Sequence, residues 1–225
     1  MFPEILSPAI VDVLIEATKQ TLYMVAVAGL VGTLIGLPLG VFLATSRAGD
    51  LFAAPWLNHV LGLVVNAARS TPFIILVVAI IPFTRLIAGT SIGTNAAIVP
   101  LTVAAAPFIA RIIEAAIREV DQGLVEAARA MGASPLQIVR KVLLPEALPA
   151  ITLALTLAVV SLIGYSAMVG ALGGGGLGDL GIRFAYQRFM PEVMAAVVIV
   201  LIVLVQGVQS IGDLLARRLD KRNRG

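Results

Sequence analysis

Residues 20–46 read QTLYMVAVAGLVGTLIGLPLGVFLATS, and no charged residue interrupts them between Lys19 and Arg47. A charge at the centre of a bilayer costs roughly 2.5–3.5 kcal/mol on insertion scales. A helix that crosses the bilayer needs about 20 apolar residues. The run is therefore long enough to cross a membrane, and we predict a first span at about 20–45.

Further apolar tracts follow along the chain. Three are free of charge, and a fourth, beginning near residue 57, is interrupted only by Arg69. Hydrophobic residues make up 59% of the chain and charged residues 13%, whereas soluble proteins have roughly 45–50% and 25%. The composition excludes a water-soluble globule. We predict an all-α membrane protein with one domain, 1–225, and five spans at about 20–45, 57–84, 90–110, 147–172 and 193–212.

The positions of the basic residues predict the orientation of the chain. Five spans place the termini on opposite sides, and cytoplasmic segments of membrane proteins are enriched in Lys and Arg. With the C-terminus in the cytoplasm, the cytoplasmic segments contain 11 of the 16 Lys and Arg residues. We therefore expect the N-terminus outside, and the net charge of +3 reflects topology rather than nucleic-acid binding. Residues 1–10 carry no basic residue ahead of their apolar run, so we expect no cleavable signal.

The first span carries small residues on one face. Gly32, Gly36 and Gly40 are four residues apart, which places them on one side of a helix and predicts close packing against another backbone. The preceding residues 8–19 are amphipathic, and either lie at the outer interface or extend the first helix, the reading we favour. Prolines in the first three spans predict kinks, which mark either moving helices or the ordinary composition of membrane helices.

Several chemistries are excluded by residue type. The chain has no cysteine and one histidine, His59, so thiolate chemistry and a zinc site are ruled out. Ser166 does not lie in a G-x-S-x-G turn because position 168 is methionine. No lysine belongs to a phosphate-binding loop, and all 13 Asp and Glu lie at or outside the predicted span boundaries. We expect no catalytic, cofactor or metal site, and an ion-driven carrier lacks its usual intramembrane carboxylate.

The run 173–178, GGGGLG, follows the fourth predicted span. No strand precedes it, so the pattern does not indicate a dinucleotide site. Glycine adopts backbone dihedral angles that other residues avoid. The run therefore predicts a flexible extracytoplasmic loop, the reading we favour, or else a tight re-entrant turn.

Residues 111–146 form the one long polar stretch and are predicted to be a cytoplasmic loop. Asp121 is placed to cap a short helix, and Gly132 is placed to end it in a left-handed turn. Ser134 and Gln137 form a capping box around Pro135 for a second helix. We expect Pro145 to stop that helix, and we expect its apolar side to contact a partner through Leu136, Ile138, Val139, Val142 and Leu143.

The spacing within this loop is that of a known motif. Residues 126–128 read EAA, Gly132 follows after three residues, and 142–145 read VLLP after nine more. This pattern resembles the EAA motif of ABC-importer permeases, with Val142 where the motif usually has isoleucine. The resemblance implies that the loop couples the permease to an ATPase through Glu126, Ala127, Ala128, Gly132, Ser134, Pro135, Leu144 and Pro145.

The resemblance extends over roughly residues 21–213 and is greatest to permeases of methionine-uptake systems. The stretches that indicate this are 69–76 (RSTPFIIL), 81–85 (IPFTR), 89–93 (GTSIG), 97–101 (AIVPL) and 106–111 (APFIAR). It implies a homodimer in the bacterial inner membrane, two cytoplasmic ABC ATPase subunits that use ATP and magnesium, and an extracytoplasmic substrate-binding protein. The alternatives are a permease for another amino acid or small polar solute, an ion-driven carrier, or a non-transporting scaffold.

A translocation path for a zwitterion should be lined by small and mildly polar groups. In the fourth span the candidates are Ser161, Tyr165, Ser166 and Met168, and Met168 is either an apolar plug or a packing residue. Arg69 is the only formal charge within a predicted span. It faces a partner, a cavity or a dimer interface, or it snorkels to the surface if the second helix begins near Thr71.

Overall fold

The computed structural model describes residues 8–220, which form helices and connecting turns and contain no β-strand. Three π-helical segments, Val139–Leu143, Gly170–Gly174 and Gly181–Tyr186, adjoin α-helices. In chain order the α-helices are α1 (Pro8–Thr45), α2 (Pro55–Ser70), α3 (Phe73–Ala79), α4 (Ile81–Ala88), α5 (Thr94–Arg118), α6 (Gln122–Ala130), α7 (Pro135–Ile138), α8 (Leu144–Val169), α9 (Gly176–Leu180) and α10 (Pro191–Leu219).

Four stretches are long and apolar enough to cross a membrane: Ile10–Thr45, Thr94–Arg118, Pro135–Gly174 and Pro191–Leu219. The pair α2 and α3 passes the same test together, but its axes are bent by 103°. The chain is therefore an all-helical membrane protein with four spans, or five if the bent pair is one span. The predicted fold class is confirmed at this level.

Helix α1 is longer than the predicted first span, 20–45. It already includes residue 8, so residues 8–19 extend the helix, which is the favoured of the two predicted arrangements. Near this end Ala17 is buried against α9 and α10, in a small second core with Leu177, Leu180, Val193 and Val197. The extension of α1 is therefore held by its packing against α9, which begins within the glycine-rich run, and against α10.

The predicted tract 57–84 is divided into α2, α3 and the beginning of α4. Thr71 has an extended backbone (ψ 125°) and precedes Pro72. A proline ring disfavours the helical conformation of the residue before it, and proline has no N–H to donate. The chain therefore turns sharply between Ser70 and Phe73. A left-handed Gly89 (φ 74°) ends α4.

The glycine stripe of α1 packs directly on α5, as predicted. A Cβ atom added to Gly36 would lie 2.7 Å from the carbonyl oxygen of Ala106, and one on Gly40 would lie 2.5 Å from that of Ala110. Only a residue without a side chain permits this approach of two helix backbones. The main core forms around this contact and includes the fully buried Met24, Leu101, Ile109, Ile113 and Leu162.

The expectation that Pro145 stops the second loop helix is wrong. Helix α7 continues through the π-helical segment into α8, and the Leu144 N–H donates to the carbonyl of Val139 in a π-type bond. Proline lacks a donor and clashes with the carbonyl four residues earlier in a regular helix. The wider π turn accommodates both effects. Pro135–Gly174 is therefore one long helical element.

Replacing Gly40 with alanine should destabilise the protein by about 1–3 kcal/mol, because the added methyl group overpacks the α1–α5 contact. The measurement is thermal unfolding of the detergent-solubilised protein, followed by circular dichroism. Gly207→Ala in α10 is the matched control, since a Cβ there meets nothing within 4 Å. Equal unfolding midpoints for the two variants would contradict the assigned contact.

Candidate coupling surface and membrane cavity

A buried carboxylate, that of Glu114, lies near the end of α5 that leads to α6. Its side chain is 4% exposed and it accepts hydrogen bonds from three arginines. Arg47 Nη2 is 3.1 Å from Oε1, Arg118 Nε is 3.2 Å from Oε1, and Arg111 donates to Oε2. A buried charge requires partners of this kind because water no longer solvates it.

The same arginines bind the neighbouring helix ends. Arg118 Nη2 donates to the carbonyl of Leu43 at 3.1 Å, and Asn58 Nδ2 donates to that carbonyl at 2.9 Å. Arg111 Nη2 donates to Asn66 Oδ1 at 3.0 Å. The network around Glu114 thus joins α1, α2 and α5 next to α6 and α7, the part of the chain that we call the coupling loop because the resemblance implies that role.

Sequence reasoning missed this network because it ended the third span at 110 and assigned the following residues to a loop. Helix α5 continues to Arg118. The available signal was the spacing of Arg111, Glu114 and Arg118, which places all three on one helix face. The contribution of Arg47, 67 residues away in sequence from Glu114, had no local signal.

Beyond this base, α6 and α7 form the predicted pair of short helices. Asp121 Oδ1 accepts a hydrogen bond from the Gly123 N–H at 2.8 Å and caps α6. Gly132, with φ 79°, ends it in the left-handed conformation. Ser134 and Gln137 form the predicted capping box at the start of α7. The predicted caps of α6 and α7 and the left-handed Gly132 are therefore confirmed.

The coupling positions implied by the resemblance lie mostly on the outside of this loop. Ala128 is buried beside Val125, and Leu144 packs against the core. The exposed positions are Glu126, Ala127, Gly132, Ser134, Pro135 and Pro145.

The expected contact surface on the second helix needs correction. Ile138, Val139 and Leu143 are buried in the main core of this chain, so most of that apolar side is not available to a partner. The large apolar groups of this loop that face outward are Met131, which is 82% exposed, Leu136, which is 58% exposed, and Leu124, which is 43% exposed. The π-helical segment contacts α6, and its residues Val139 and Leu143 are buried.

Two of the predicted path residues meet in one cavity. Arg69 and Tyr165 line a space of about 240 Å³ together with Thr71, Phe73 and Phe108. The rings of Phe73 and Tyr165 are stacked, with centroids 4.4 Å apart and planes 14° apart. Helix α2 includes Arg69 and ends at Ser70, and α3 begins at Phe73, two residues after Thr71. Arg69 is exposed on this chain, and the choice between snorkelling and a buried partner stays a prediction.

The remaining path candidates lie elsewhere on α8. Ser166 is buried and its hydroxyl donates to the carbonyl of Ile163 at 2.7 Å. Ser161 donates to the carbonyl of Leu157 at 2.9 Å, and Met168 is exposed. Within residues 8–220 no three His, Asp or Glu side chains form a group that could hold a metal ion.

The glycine run is a close-packed turn, so the flexible-loop alternative is wrong. The Gly176 N–H donates to Gln20 Oε1 and the Leu177 N–H donates to Thr21 Oγ1, both at 2.9 Å. Gly173 accepts a hydrogen bond from the Gly93 N–H at 2.8 Å. Gly173, Gly175 and Gly176 have positive φ angles, which is why glycine is needed. The side chains of α1 hold this turn in place.

The sequence is similar to known membrane transport proteins over most of its length. Residues 36–225 match the family model of the binding-protein-dependent transport system inner membrane component. The chain is 60% identical over 211 residues, 94% of either chain, to the probable D-methionine transport system permease protein MetI of Vibrio cholerae serotype O1. It is 47% identical over 219 residues, 96% of this chain and all of the other, to the corresponding protein of Pasteurella multocida.

A solved structure is also similar over nearly the whole chain. It is an inward-facing conformation of the MetNI methionine ABC transporter. The TM-score is 0.93 at 50% sequence identity, and the match covers 96% of this chain and 100% of the other. At this similarity the helices and turns described above have counterparts in that transporter.

Replacing Glu114 with glutamine should destabilise the protein by about 1.5–3 kcal/mol, because the charge-assisted hydrogen bonds to three arginines are lost. The unfolding midpoint is measured at low and high salt. The difference in unfolding midpoint between Glu114→Gln and the unaltered protein should be smaller at high salt. The reason is that the arginines are partly exposed and salt screens their mutual repulsion. Glu119→Gln, on an exposed residue of the same segment, is the control, and an equal loss there would contradict the role of Glu114.

Proposed function

The chain belongs to the family of binding-protein-dependent transport system inner membrane components and is a permease subunit of an ABC importer, and from this we propose that its substrate is methionine. The observation that carries the proposal is the 60% identity to a D-methionine permease over 94% of both chains. The chain is a multi-pass protein of the inner membrane and is not an enzyme. The energy for transport therefore comes from a partner.

We propose that two copies of the chain form the translocation unit. Each would contribute five spans, with α2 and α3 counted as one, the N-terminus outside and the C-terminus in the cytoplasm. The distribution of Lys and Arg supports this orientation. Trp56 is 76% exposed and, with the exposed Leu63 and Val64, forms an apolar surface on α2 for lipid or a second copy. Five spans are few for enclosing a path, which favours a dimer.

We expect two kinds of partner, one on each side of the membrane. Two ABC ATPase subunits, which bind ATP and magnesium, would dock on α6 and α7. A substrate-binding protein would deliver methionine on the opposite side. The exposed EAA positions and the outward Met131 and Leu136 support docking at this loop, because an exposed apolar group rimmed by polar residues is typical of an interface.

Coupling depends on the continuity of α7 with α8. The element Pro135–Gly174 spans 40 residues, and its longest α-helical part, α8, has 26 residues, or about 39 Å at 1.5 Å per residue. When ATP closes the partner subunits, a push on α7 moves α8 and with it Tyr165 in the cavity. The network around Glu114 supports α5, against which α8 packs. The remaining path candidates, Ser161, Ser166 and Met168, lie on the same moving helix.

The substrate proposal is tested by uptake into proteoliposomes. The purified permease–ATPase complex is combined with its binding protein, and uptake of radiolabelled methionine is followed with and without ATP. We expect uptake that requires ATP, with unlabelled methionine competing and other amino acids failing to compete. Uptake without ATP would contradict coupling to an ATPase, and preferred uptake of another amino acid would contradict the substrate.

Replacing Gly132 with leucine should reduce ATP-driven uptake at least tenfold while ATP hydrolysis continues, because φ 79° strains any residue with a Cβ and reshapes the coupling loop. Gly89→Leu is the matched control, since Gly89 also caps a helix at positive φ with nothing within 4 Å of its Cβ position. Glu126→Lys, on an exposed position, tests the surface without backbone strain. Undiminished uptake in both Gly132→Leu and Glu126→Lys would contradict docking at this loop.

A further inference from the structure

Arg69 occupies an unusual position for a charged residue. It lies in the last turn of α2, about 21 Å along the helix axis from Pro55 at 1.5 Å per residue. No hydrogen bond or ion pair joins it to any residue in 8–220. An ionisable residue within a membrane-spanning segment normally faces a cavity or a partner charge. Its guanidinium is therefore available to a ligand.

Apart from Arg69, the residues that line the cavity carry no charge. Its walls include the stacked pair Phe73 and Tyr165, together with Phe108 and Leu76. The Thr71 hydroxyl donates to a carbonyl of α2 at 3.1 Å, and its oxygen lone pairs remain able to accept a hydrogen bond. The cavity thus offers the Arg69 cation, the Thr71 hydroxyl as an acceptor and an aromatic surface that includes Tyr165.

We propose that this cavity binds a zwitterionic α-amino acid with an apolar side chain during its passage through the membrane. The inference rests on the proposed function, which makes the ligand methionine. The substrate carboxylate pairs with the Arg69 guanidinium, whose planar fork matches two carboxylate oxygens. The ammonium group donates to the Thr71 hydroxyl. The thioether packs on the aromatic surface of Phe73 and Tyr165, a favourable contact for sulfur.

The size of the cavity fits this ligand. A volume of about 240 Å³ is well above the roughly 10–15 Å³ that a single water needs on the same measure, which leaves room for a small organic ligand. No carboxylate of the chain lines the cavity, so the ammonium group has no ionic partner. Binding is consequently weak, which suits a transport site because tight binding would slow release.

The walls belong to different helices. Phe73 is on α3, Phe108 is on α5 and Tyr165 is on α8. A displacement of α8 therefore separates the stacked rings and opens the aromatic surface. The shape of the site, and with it the affinity for the amino acid, depends on the position of the same helix that the coupling loop moves.

The test is photochemical capture in the assembled permease–ATPase complex, reconstituted in nanodiscs without the binding protein. A diazirine analogue of methionine is photolysed, and labelled peptides are identified by mass spectrometry. We expect labels in the peptides that contain Phe73, Phe108 or Tyr165. Excess methionine should prevent labelling, and methioninol, which lacks the carboxylate, should not.

Two sets of variants locate the contacts. Arg69→Gln should reduce capture at least tenfold, whereas Arg85→Gln should not, because Arg85 contacts Ser91 instead and does not line the cavity. Tyr165→Ala should reduce capture, and Tyr165→Phe, which keeps the ring, should retain it. If Arg69→Gln fails to assemble, the Tyr165 pair and methioninol competition on the unaltered complex decide the question.

The outcomes separate this inference from the proposed function. ATP-driven methionine uptake without labelling of the cavity overturns the site and leaves the function intact. Capture that methioninol prevents as well as methionine does, or that survives Arg69→Gln, shows that Arg69 does not bind the carboxylate. A loss of dimer in Arg69→Gln with unchanged capture assigns Arg69 to a second copy and overturns the proposal. Cavity labelling in a complex that does not transport methionine contradicts the function instead.

Discussion

The direct contact between the backbones of α1 and α5 is the constraint on which the rest of the molecule depends. Lipid provides no hydrophobic force between two apolar helices, so their association relies on close packing and on polar contacts. Gly36 and Gly40 provide the packing by removing the side chains that would separate the helices. Polar contacts lie on either side of this glycine stripe: Arg47 follows the C-terminus of α1 and reaches Glu114, and Gln20 and Thr21, within α1 before the stripe, hold the glycine turn.

This arrangement is compatible with the proposed coupling, in which α8 moves while the contact between α1 and α5 stays intact. The segment Pro135–Gly174 begins at the exposed coupling loop and ends at the close-packed glycine turn. The π-helical segment at Val139–Leu143 accommodates Pro145 without a break. Packed cores shift between discrete arrangements rather than deform continuously. In the proposed mechanism a displacement at α7 would therefore be transmitted along α8 to Tyr165 and not be absorbed at the proline.

The parts of the structure that were predictable from sequence are those set by local energetics. Transfer of a charge into lipid depends on a short window of residues, so apolar runs locate the long helices, and the caps at Asp121 and Ser134 follow from a few neighbouring residues. The failures share a different cause. The burial of Glu114 depends on Arg47 far away in sequence, and the order of the glycine turn depends on Gln20. The spacing of Arg111, Glu114 and Arg118 indicates a shared helix face, but the residues near Glu114 and near the glycine run do not identify the distant partners.

Arg69 shows why a charge within an apolar tract is the hardest feature to interpret from sequence. A charge there is compatible with snorkelling, a partner or a cavity, and the choice depends on where the helix breaks. The break follows directly from Thr71 and Pro72, because the chain turns by 103° immediately after Arg69 and brings Phe73 against Tyr165. A straight helix would carry Phe73 onward along the axis of α2. Pro72 therefore does more than interrupt a span. The turn that it causes places Arg69 and the stacked rings of Phe73 and Tyr165 in the wall of one cavity.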